Sequence, residues 1–170
     1  MLFVYFLPLY DIILKKVIKT SNLLLYNYFN KGGYKMLEEK SCGAIVYNNE
    51  GKVLIVQHNA GHWDFPKGHV ENNETEVETA VREVKEETNI DIQIPNADYR
   101  YEIYYNPKEN VNKTVVFFLA RNISKKTIKQ DAEIKNIGWY SYDEAMDILT
   151  YNDAKKLLKM SYEDFKRINN

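Results

Sequence analysis

The sequence has almost no cysteine and no excess of either charge. Cys42 is the only cysteine, so an internal disulfide and a cysteine metal cluster are both excluded. The formal net charge is −1, which argues against the strongly basic surface expected of a protein with stable DNA binding. With 45% hydrophobic and 28% charged residues, the composition is that of one ordinary globular domain, with or without an appendage. We expect a cytoplasmic monomer.

The chain also lacks an apolar run long enough to cross a membrane. Residues 1–35 open with an apolar segment that Pro8 and Asp11 interrupt and that ends at Lys15. A spanning helix needs about 20 apolar residues, and a secretory signal would place its basic residues before the apolar ones instead of after them. No membrane contact is therefore expected beyond a weak interfacial anchor in residues 1–35.

A different origin of residues 1–35 is suggested by "KGGYKM", which back-translates to a purine-rich GGAGG shortly before a methionine codon. A bacterial ribosome-binding site has this form. The second hypothesis is that Met36 is the natural start, that residues 1–35 are a gene-model extension, and that 36–170 is the folded domain.

After Met36, hydrophobic patterning predicts strands, one helix, more strands and then terminal helices. "SCGAIVY" and "KVLIVQH" predict a hairpin that turns at Gly51, and "HNAGHWDFPKGHVENNE" predicts a loop. Further strands are predicted at "DIQI", "YRYEIYY", "KTVVFFLAR" and "NIGWYS", and the third of these is apolar enough to be central. This order indicates an α/β or α+β sandwich with a mixed sheet between helical layers.

The first predicted helix carries an acidic face. Thr75 and Glu78 predict a capping box, and Asn89 suits a left-handed helix end. The apolar stripe that predicts the buried face comprises Val77, Ala80, Val81 and Val84. The side chains predicted to point away from it are those of Glu76, Glu83 and Glu87, with Glu86 on the flank.

Clustered glutamates on a helix have two interpretations. They can form a solvated face, as most acidic helices do, with Arg82 and Lys85 neutralising their neighbours. Alternatively they bind a hard cation, because carboxylate oxygens suit Mg²⁺ or Mn²⁺ and Mg²⁺ commonly shares the phosphates of a substrate.

The spacing of the residues before and within the helix decides between these two interpretations of the glutamates. Five residues separate Gly68 from Glu74, and seven more separate Glu74 from Arg82. Arg82 is followed by Glu83, an aliphatic, any residue, Glu86 and Glu87. This pattern resembles the Nudix box, in which Asn89 here stands in a glycine position. The resemblance implies a Nudix α/β/α sandwich whose catalytic loop, helix and loop hydrolyse a nucleoside diphosphate linked to another moiety.

The Nudix resemblance also implies residue roles. Glu83 and Glu87 are expected to be the main magnesium ligands, with Glu86 as a third and Gly68 contributing its carbonyl. Arg82 is expected to orient the acids, although a simple helix pair with Glu78 or Glu86 would explain it too.

Residues outside the box indicate the substrate. "WDFPKGH" resembles the segment before the box in asymmetrical diadenosine tetraphosphate hydrolases, which implies that Lys67 and His69 contact phosphates. In "KTVVFFLA" the resemblance implies that Lys113 reaches the polyphosphate, and in "EIKNIGW" that Glu133 is a further metal ligand or base. The alternative for Lys67 is a solvated loop lysine, and for His69 a histidine bonded to a backbone group. The alternative for Lys113 is a lysine at a strand edge, and for Glu133 an acid on a surface loop.

The same family holds an adenine between two aromatic rings. Tyr105, with Tyr104 as a rival, and Tyr151 occupy comparable places in this chain. Stacking on an aromatic contributes about 1 to 3 kcal/mol per base. Simple packing is the alternative, because the chain contains 14 tyrosines.

The predicted function is therefore Mg²⁺- or Mn²⁺-dependent cleavage of diadenosine tetraphosphate to ATP and AMP. The alternatives are pyrophosphate removal from an RNA 5′ end, hydrolysis of nucleoside triphosphates, and nucleotide sensing without turnover. The intact Glu83, Glu86 and Glu87 argue against the last.

Overall fold

The computed structural model describes residues 36–124 and 134–169. The chain divides into two compact units between Leu37 and Glu38. Apart from Leu37, the first residue of β1, all the elements described here belong to the unit that begins at Glu38. Its strands are β1 (Leu37–Tyr47), β2 (Val53–His58), β3 (Trp63–Asp64), β4 (Lys67–His69), β5 (Ile92–Gln93), β6 (Arg100–Tyr105), β7 (Val111–Asn122) and β8 (Ile134–Tyr140). Its helices are α1 (Glu76–Thr88), α2 (Tyr142–Ile148) and α3 (Asn152–Asn169). None of these helices has both the length and the apolar composition to span a membrane.

The predicted hairpin joins β1 to β2. Asn48 closes its turn, since the Asn48 side-chain oxygen accepts the backbone N–H groups of Glu50 and Lys52 at 2.9 Å each. Gly51 lies at φ +73°, a left-handed conformation that costs glycine little. This local chemistry confirms the predicted turn.

The strands form one mixed sheet in the order β3, β2, β1, β7, β5, with β4 also paired to β1, β6 to β7 and β8 to β2. The long apolar strand β7 contacts β1, β5 and β6, which confirms its central position. Its buried residues run from Val115 to Ala120 without a break, as expected for a strand covered on both faces.

Helices cover both faces of the sheet. Successive residues of a strand point to opposite faces, so a continuous apolar strand offers both faces apolar side chains to bury. One face packs Ile45, Val115 and Phe117 in a cluster with Leu157 and Leu158 of α3. The other face uses the alternate residues of β1, β2 and β7 and packs against Ala80 and Val84 of α1, with members Cys42, Ala44, Val46, Leu54, Val116, Phe118 and Ala120. The predicted α/β/α sandwich is confirmed.

The segment predicted to be one loop contains two short strands, and that prediction was wrong in part. β3 pairs with β2, and β4 pairs antiparallel with β1, where Ser41 faces His69 and Gly43 faces Lys67. A Cβ on Gly43 would overlap the carbonyl oxygen of Pro66, so this close approach requires glycine. Strands of two and three residues are too short to show periodicity, which is why pattern analysis missed them.

Helix α1 begins and ends as predicted. The Thr75 hydroxyl accepts the Glu78 N–H at 3.2 Å, and the Glu78 carboxylate accepts the Thr75 N–H at 2.8 Å. Asn89 ends the helix at φ 55°, and its N–H donates to the Lys85 carbonyl at 2.8 Å. The capping box and the left-handed end are both confirmed.

The predicted outward orientation of the acidic face was wrong for Glu83 and Glu87, whereas Glu86 on its flank is exposed. Glu83 and Glu87 are each only 9% exposed, whereas Val81 of the predicted buried stripe is exposed. The glutamates are buried because β4 and the residues before it cover this side of α1. A helical periodicity identifies a face but not the loop that lies over it.

Candidate active site

An acidic cleft of about 700 Å³ lies between α1, β4 and the ends of β1, β6 and β7. It collects most of the predicted site residues, although they are distant in sequence. The lining residues are Glu39, Ser41, His58, Lys67, Gly68, His69, Glu71, Glu83, Glu86, Glu87, Tyr105, Pro107 and Lys113. We refer to this cavity as the acidic cleft.

Arg82 binds three carboxylates at the edge of the cleft. Its guanidinium donates to Glu74 through Nε at 2.7 Å and Nη2 at 2.9 Å, and through Nη1 to Glu83 at 2.8 Å and Glu86 at 2.9 Å. These bonds with Arg82 hold the pKa of Glu74 at about 2. Of the helix pairs considered for Arg82, the one with Glu86 is present, whereas Glu78 caps the helix instead.

Nη2 of Arg82 also donates to the His69 carbonyl at 2.9 Å. The guanidinium therefore fixes α1 and β4 relative to each other. Glu74 binds Arg82 through both carboxylate oxygens. It is part of the Nudix pattern, but the sequence analysis did not predict that it pairs with Arg82.

Glu83 packs directly on the backbone of Gly68. A Cβ at position 68 would overlap the carboxylate of Glu83, so a larger residue there would displace that carboxylate. Burial raises the pKa of Glu83, and Arg82 opposes that rise. The close approach places the acid beside the peptide group that was predicted to contribute a carbonyl ligand.

Glu87 is the most perturbed acid of the cleft. Its Oε2 accepts the Lys67 N–H at 3.1 Å. Burial raises its pKa to about 8, and nearby Glu83 and Asp64 add to the rise while Lys67 opposes it. A buried carboxylate in this state is a strong candidate to receive a cation, because a cation would remove the cost of its charge.

The donor set fits a hard divalent cation. Oxygen ligands are those that Mg²⁺ and Mn²⁺ prefer, and Glu83, Glu86 and Glu87 line one cleft with Gly68. In the described part of the chain no three acidic, His or Cys side chains converge on one point. Arg82 holds Glu83 and Glu86, while Glu87 binds the Lys67 N–H, so the acids share a cavity without sharing a centre.

The predicted phosphate-binding residues lie along the same cleft. Lys67 Nζ is 3.1 Å from Asp64 Oδ2. Burial opposes the charge of this lysine, but Asp64, with help from Glu87 and Tyr105, raises its pKa. Lys113 is only 6% exposed and its Nζ lies 2.7 Å from His69 Nε2. Glu39 Oε2 lies 3.5 Å from that Lys113 nitrogen. Burial lowers the pKa of Lys113, and Glu39 opposes the change.

A second cavity, here named the base pocket, adjoins the cleft and has a volume of about 470 Å³. The two predicted aromatic residues, Tyr105 and Tyr151, both line it, whereas the rival Tyr104 does not. His62 stands beside Tyr151 with ring centroids 5.7 Å apart. The other lining residues are Asp64, Lys67, Ile103, Val115, Phe117, Asp153 and Ala154.

Three other residues remain to be compared with the sequence analysis: one is untested and two were missed. Glu133 lies outside the described residues, so its predicted role stays a prediction. Glu39 and Asp64 were missed. Asp64, an acid three residues before Lys67, offered a local signal, whereas Glu39 reaches the cleft only because β1 lies beside β4.

The family model of the NUDIX domain matches residues 38–160. The chain belongs to the NUDIX domain family. The asymmetrical bis(5′-nucleosyl)-tetraphosphatase of Sus scrofa is 30% identical to this Nudix protein over 138 residues, which cover 73% of this chain and 93% of that protein. A crystal structure of a binary complex of the Caenorhabditis elegans Ap4A hydrolase has a TM-score of 0.67 at 28% identity, covering 76% of this chain and 98% of that chain.

Relatives of this Nudix protein differ in length. Nudix hydrolase 5 of Arabidopsis thaliana is 33% identical over 128 residues, which cover 69% of this chain but 41% of that protein. The protein is a Nudix hydrolase related to the asymmetrical tetraphosphatases. Nudix hydrolases act on nucleotide substrates and generally use divalent metals such as Mg²⁺.

Proposed function

We propose that this Nudix hydrolase cleaves diadenosine tetraphosphate asymmetrically to ATP and AMP. The supporting observation is that the base pocket and the acidic cleft share two lining residues, Lys67 and Tyr105. An adenine between Tyr105 and Tyr151 would deliver its phosphates directly to the carboxylates of the cleft. The Sus scrofa relative is an asymmetrical bis(5′-nucleosyl)-tetraphosphatase and the similar C. elegans protein is an Ap4A hydrolase, and both agree with this substrate.

In this proposal the positive side chains bind the phosphate chain. Lys67, His69 and Lys113 line the cleft and supply donors to phosphate oxygens. Asp64 and Glu39 hold the two lysines in place before substrate arrives. Because the phosphate chain is polyanionic and the cleft is rich in acids, these cations and the metal must offset the repulsion between them.

The carboxylates are proposed to hold the metal and to accept a proton. Glu83, Glu86, Glu87 and the Gly68 carbonyl are the proposed ligands, with Glu133 as a further ligand or base. Bound Mg²⁺ would neutralise charge on the phosphate oxygens and activate water. The water oxygen bonds to phosphorus, the bond from that phosphorus to the leaving nucleotide breaks, and a carboxylate takes the water proton.

Product analysis tests this function. The purified protein is incubated with magnesium and either diadenosine tetraphosphate or triphosphorylated RNA, and the products are separated by chromatography. We expect equal amounts of ATP and AMP from the dinucleotide. Glu87→Gln should lower the rate by at least about 100-fold, the upper end for residues that support a metal site. Glu163→Gln on the exposed side of α3 is the matched control and should leave the rate unchanged.

Other products would contradict the proposal. Two molecules of ADP would indicate symmetrical cleavage. Phosphate or pyrophosphate from the RNA, with the dinucleotide intact, would assign the protein to the RNA 5′ end. Absence of turnover on both substrates, with nucleotide binding retained, would indicate a sensing module.

A further inference from the structure

A third cavity of about 280 Å³ adjoins the acidic cleft beside the turn between β6 and β7. We call it the outer groove. It shares Tyr105 and Lys113 with the cleft. Its other lining residues are Glu38, Tyr104, Asn106, Asn112 and Thr114. None of those five residues has a role in the chemistry described above.

An aromatic ring forms one wall of the outer groove. Tyr104 is 67% exposed, so this large side chain does not serve to fill the core of the domain. It lies opposite Thr114 in the β6–β7 ladder, and its hydroxyl donates to Glu102 on the same strand. Glu102 in turn pairs with Arg100. These bonds tether the edge of the ring while most of its surface stays open for stacking.

Neutral amides and one acid form another part of the outer groove. Asn106 Nδ2 donates to the Val111 carbonyl at 3.0 Å and to Asn112 Oδ1 at 2.8 Å, and Asn112 Nδ2 donates to Glu38 Oε1 at 2.7 Å. The network connects the β6–β7 turn to β1. Amides and a carboxylate suit the hydroxyl groups of a ribose and the edge of a base better than they suit a phosphate.

We infer that the outer groove binds the second nucleoside of a dinucleoside polyphosphate. This inference rests on the proposed function. Tyr105 lines all three cavities, Lys67 joins the base pocket to the cleft, and Lys113 joins the cleft to the outer groove. The three cavities thus follow the order of the substrate, with one base, then the phosphates, then the other nucleoside. Tyr104 stacks on the second base.

The test compares a substrate that has two nucleosides with a ligand that has one. The KM for diadenosine tetraphosphate and the inhibition constant of adenosine 5′-tetraphosphate are measured in the same assay. Tyr104→Ala should raise the KM at least about fivefold and leave the inhibition constant unchanged, because stacking is lost only from the second base. Tyr104→Phe keeps the ring and should retain the wild-type KM.

Two controls separate the outer groove from the base pocket and from general damage. Tyr151→Ala, in the base pocket, should raise both constants. Met160→Ala removes another large exposed side chain, on α3, and should change neither. Equal effects of Tyr104→Ala on both constants, or no effect on either, would overturn the inference. If the wild type does not hydrolyse diadenosine tetraphosphate, the proposed function fails, and the assignment of the outer groove fails with it.

Discussion

Glu87 is the residue whose environment gives the clearest pH dependence. In metal-free protein its pKa is about 8, raised by burial from an ordinary value of 4.5. Between these two pH values the folded state holds a proton that the unfolded state has released, so the free energy of unfolding falls as pH rises. Glu83 contributes in the same direction.

Replacing Glu87 should therefore stabilise the metal-free protein at alkaline pH. With chelator present, we compare the free energies of unfolding of Glu87→Gln and the wild type. As the pH rises from 5 to 8.5, we expect this difference to shift in favour of the variant by on the order of 1 to 3 kcal/mol. Urea unfolding at both pH values measures the difference. Added Mg²⁺ should stabilise only the wild type at pH 8.5, by binding the folded state. Parallel pH profiles for the two proteins would contradict this expectation.

Gly68 makes a second prediction at the residue scale. Its missing Cβ leaves the space that the Glu83 carboxylate fills. Gly68→Ala should displace that acid, lower the free energy of unfolding by about 1 to 3 kcal/mol and abolish Mg²⁺-dependent activity. Gly61→Ala is the comparison, since its Cβ would meet nothing within 4 Å although φ is +96°. It should cost stability through backbone strain alone and leave kcat unchanged.

Spacing along one helix could predict only part of this site. Glu83, Glu86 and Glu87 share one element, so their proximity follows from the helix repeat. Glu39 could not be predicted, because its contact with Lys113 depends on the neighbouring positions of two strands far apart in sequence. The burial of Glu83 and Glu87 could not be predicted either, because it depends on the path of the chain over α1.

The end of helix α1 positions the last glutamate of the site. Asn89 adopts φ 55° and ψ 18°, a conformation that glycine adopts without strain and alanine does not. Asn89→Gly should preserve stability and activity, whereas Asn89→Ala should lower the free energy of unfolding by about 1 kcal/mol and weaken Mg²⁺ binding. Thermal unfolding and a magnesium titration measure both effects.

Asn110 provides the matched control for the helix end. It also has a positive φ, 62°, but lies in the turn before β7. Asn110→Ala should carry a similar cost in stability without weakening magnesium binding. If both alanine variants weaken binding equally, the effect belongs to general destabilisation and not to the end of α1.

Elements with strong local signals could be predicted, and those formed by pairing could not. The capping box, the apolar repeat and the terminal asparagine together define α1 within its own segment. β3 and β4 are strands only because β2 and β1 supply their hydrogen-bond partners. Such short segments carry no periodicity of their own.

At the scale of the whole molecule, the order of strands and helices was enough to predict helices on both faces of the sheet. The family resemblance paired Tyr105 with Tyr151, but spacing along the chain could not, because Tyr151 precedes α3 whereas Tyr105 ends β6. Their common position on the base pocket follows from packing α3 against the sheet face that carries Val115 and Phe117. The proposed dinucleotide substrate would thus contact elements from most of the domain.

The boundary at Met36 gives the last prediction. The NUDIX match begins at residue 38, β1 begins at Leu37, and the described residues that line the acidic cleft all follow Met36. A chain that starts at Met36 should fold with the same melting temperature and the same kcat/KM as the full chain. Thermal unfolding and the hydrolysis assay compare the two. Loss of folding or activity would show that residues 1–35 belong to the enzyme. N-terminal sequencing of the native protein independently tests the proposal that translation starts at Met36.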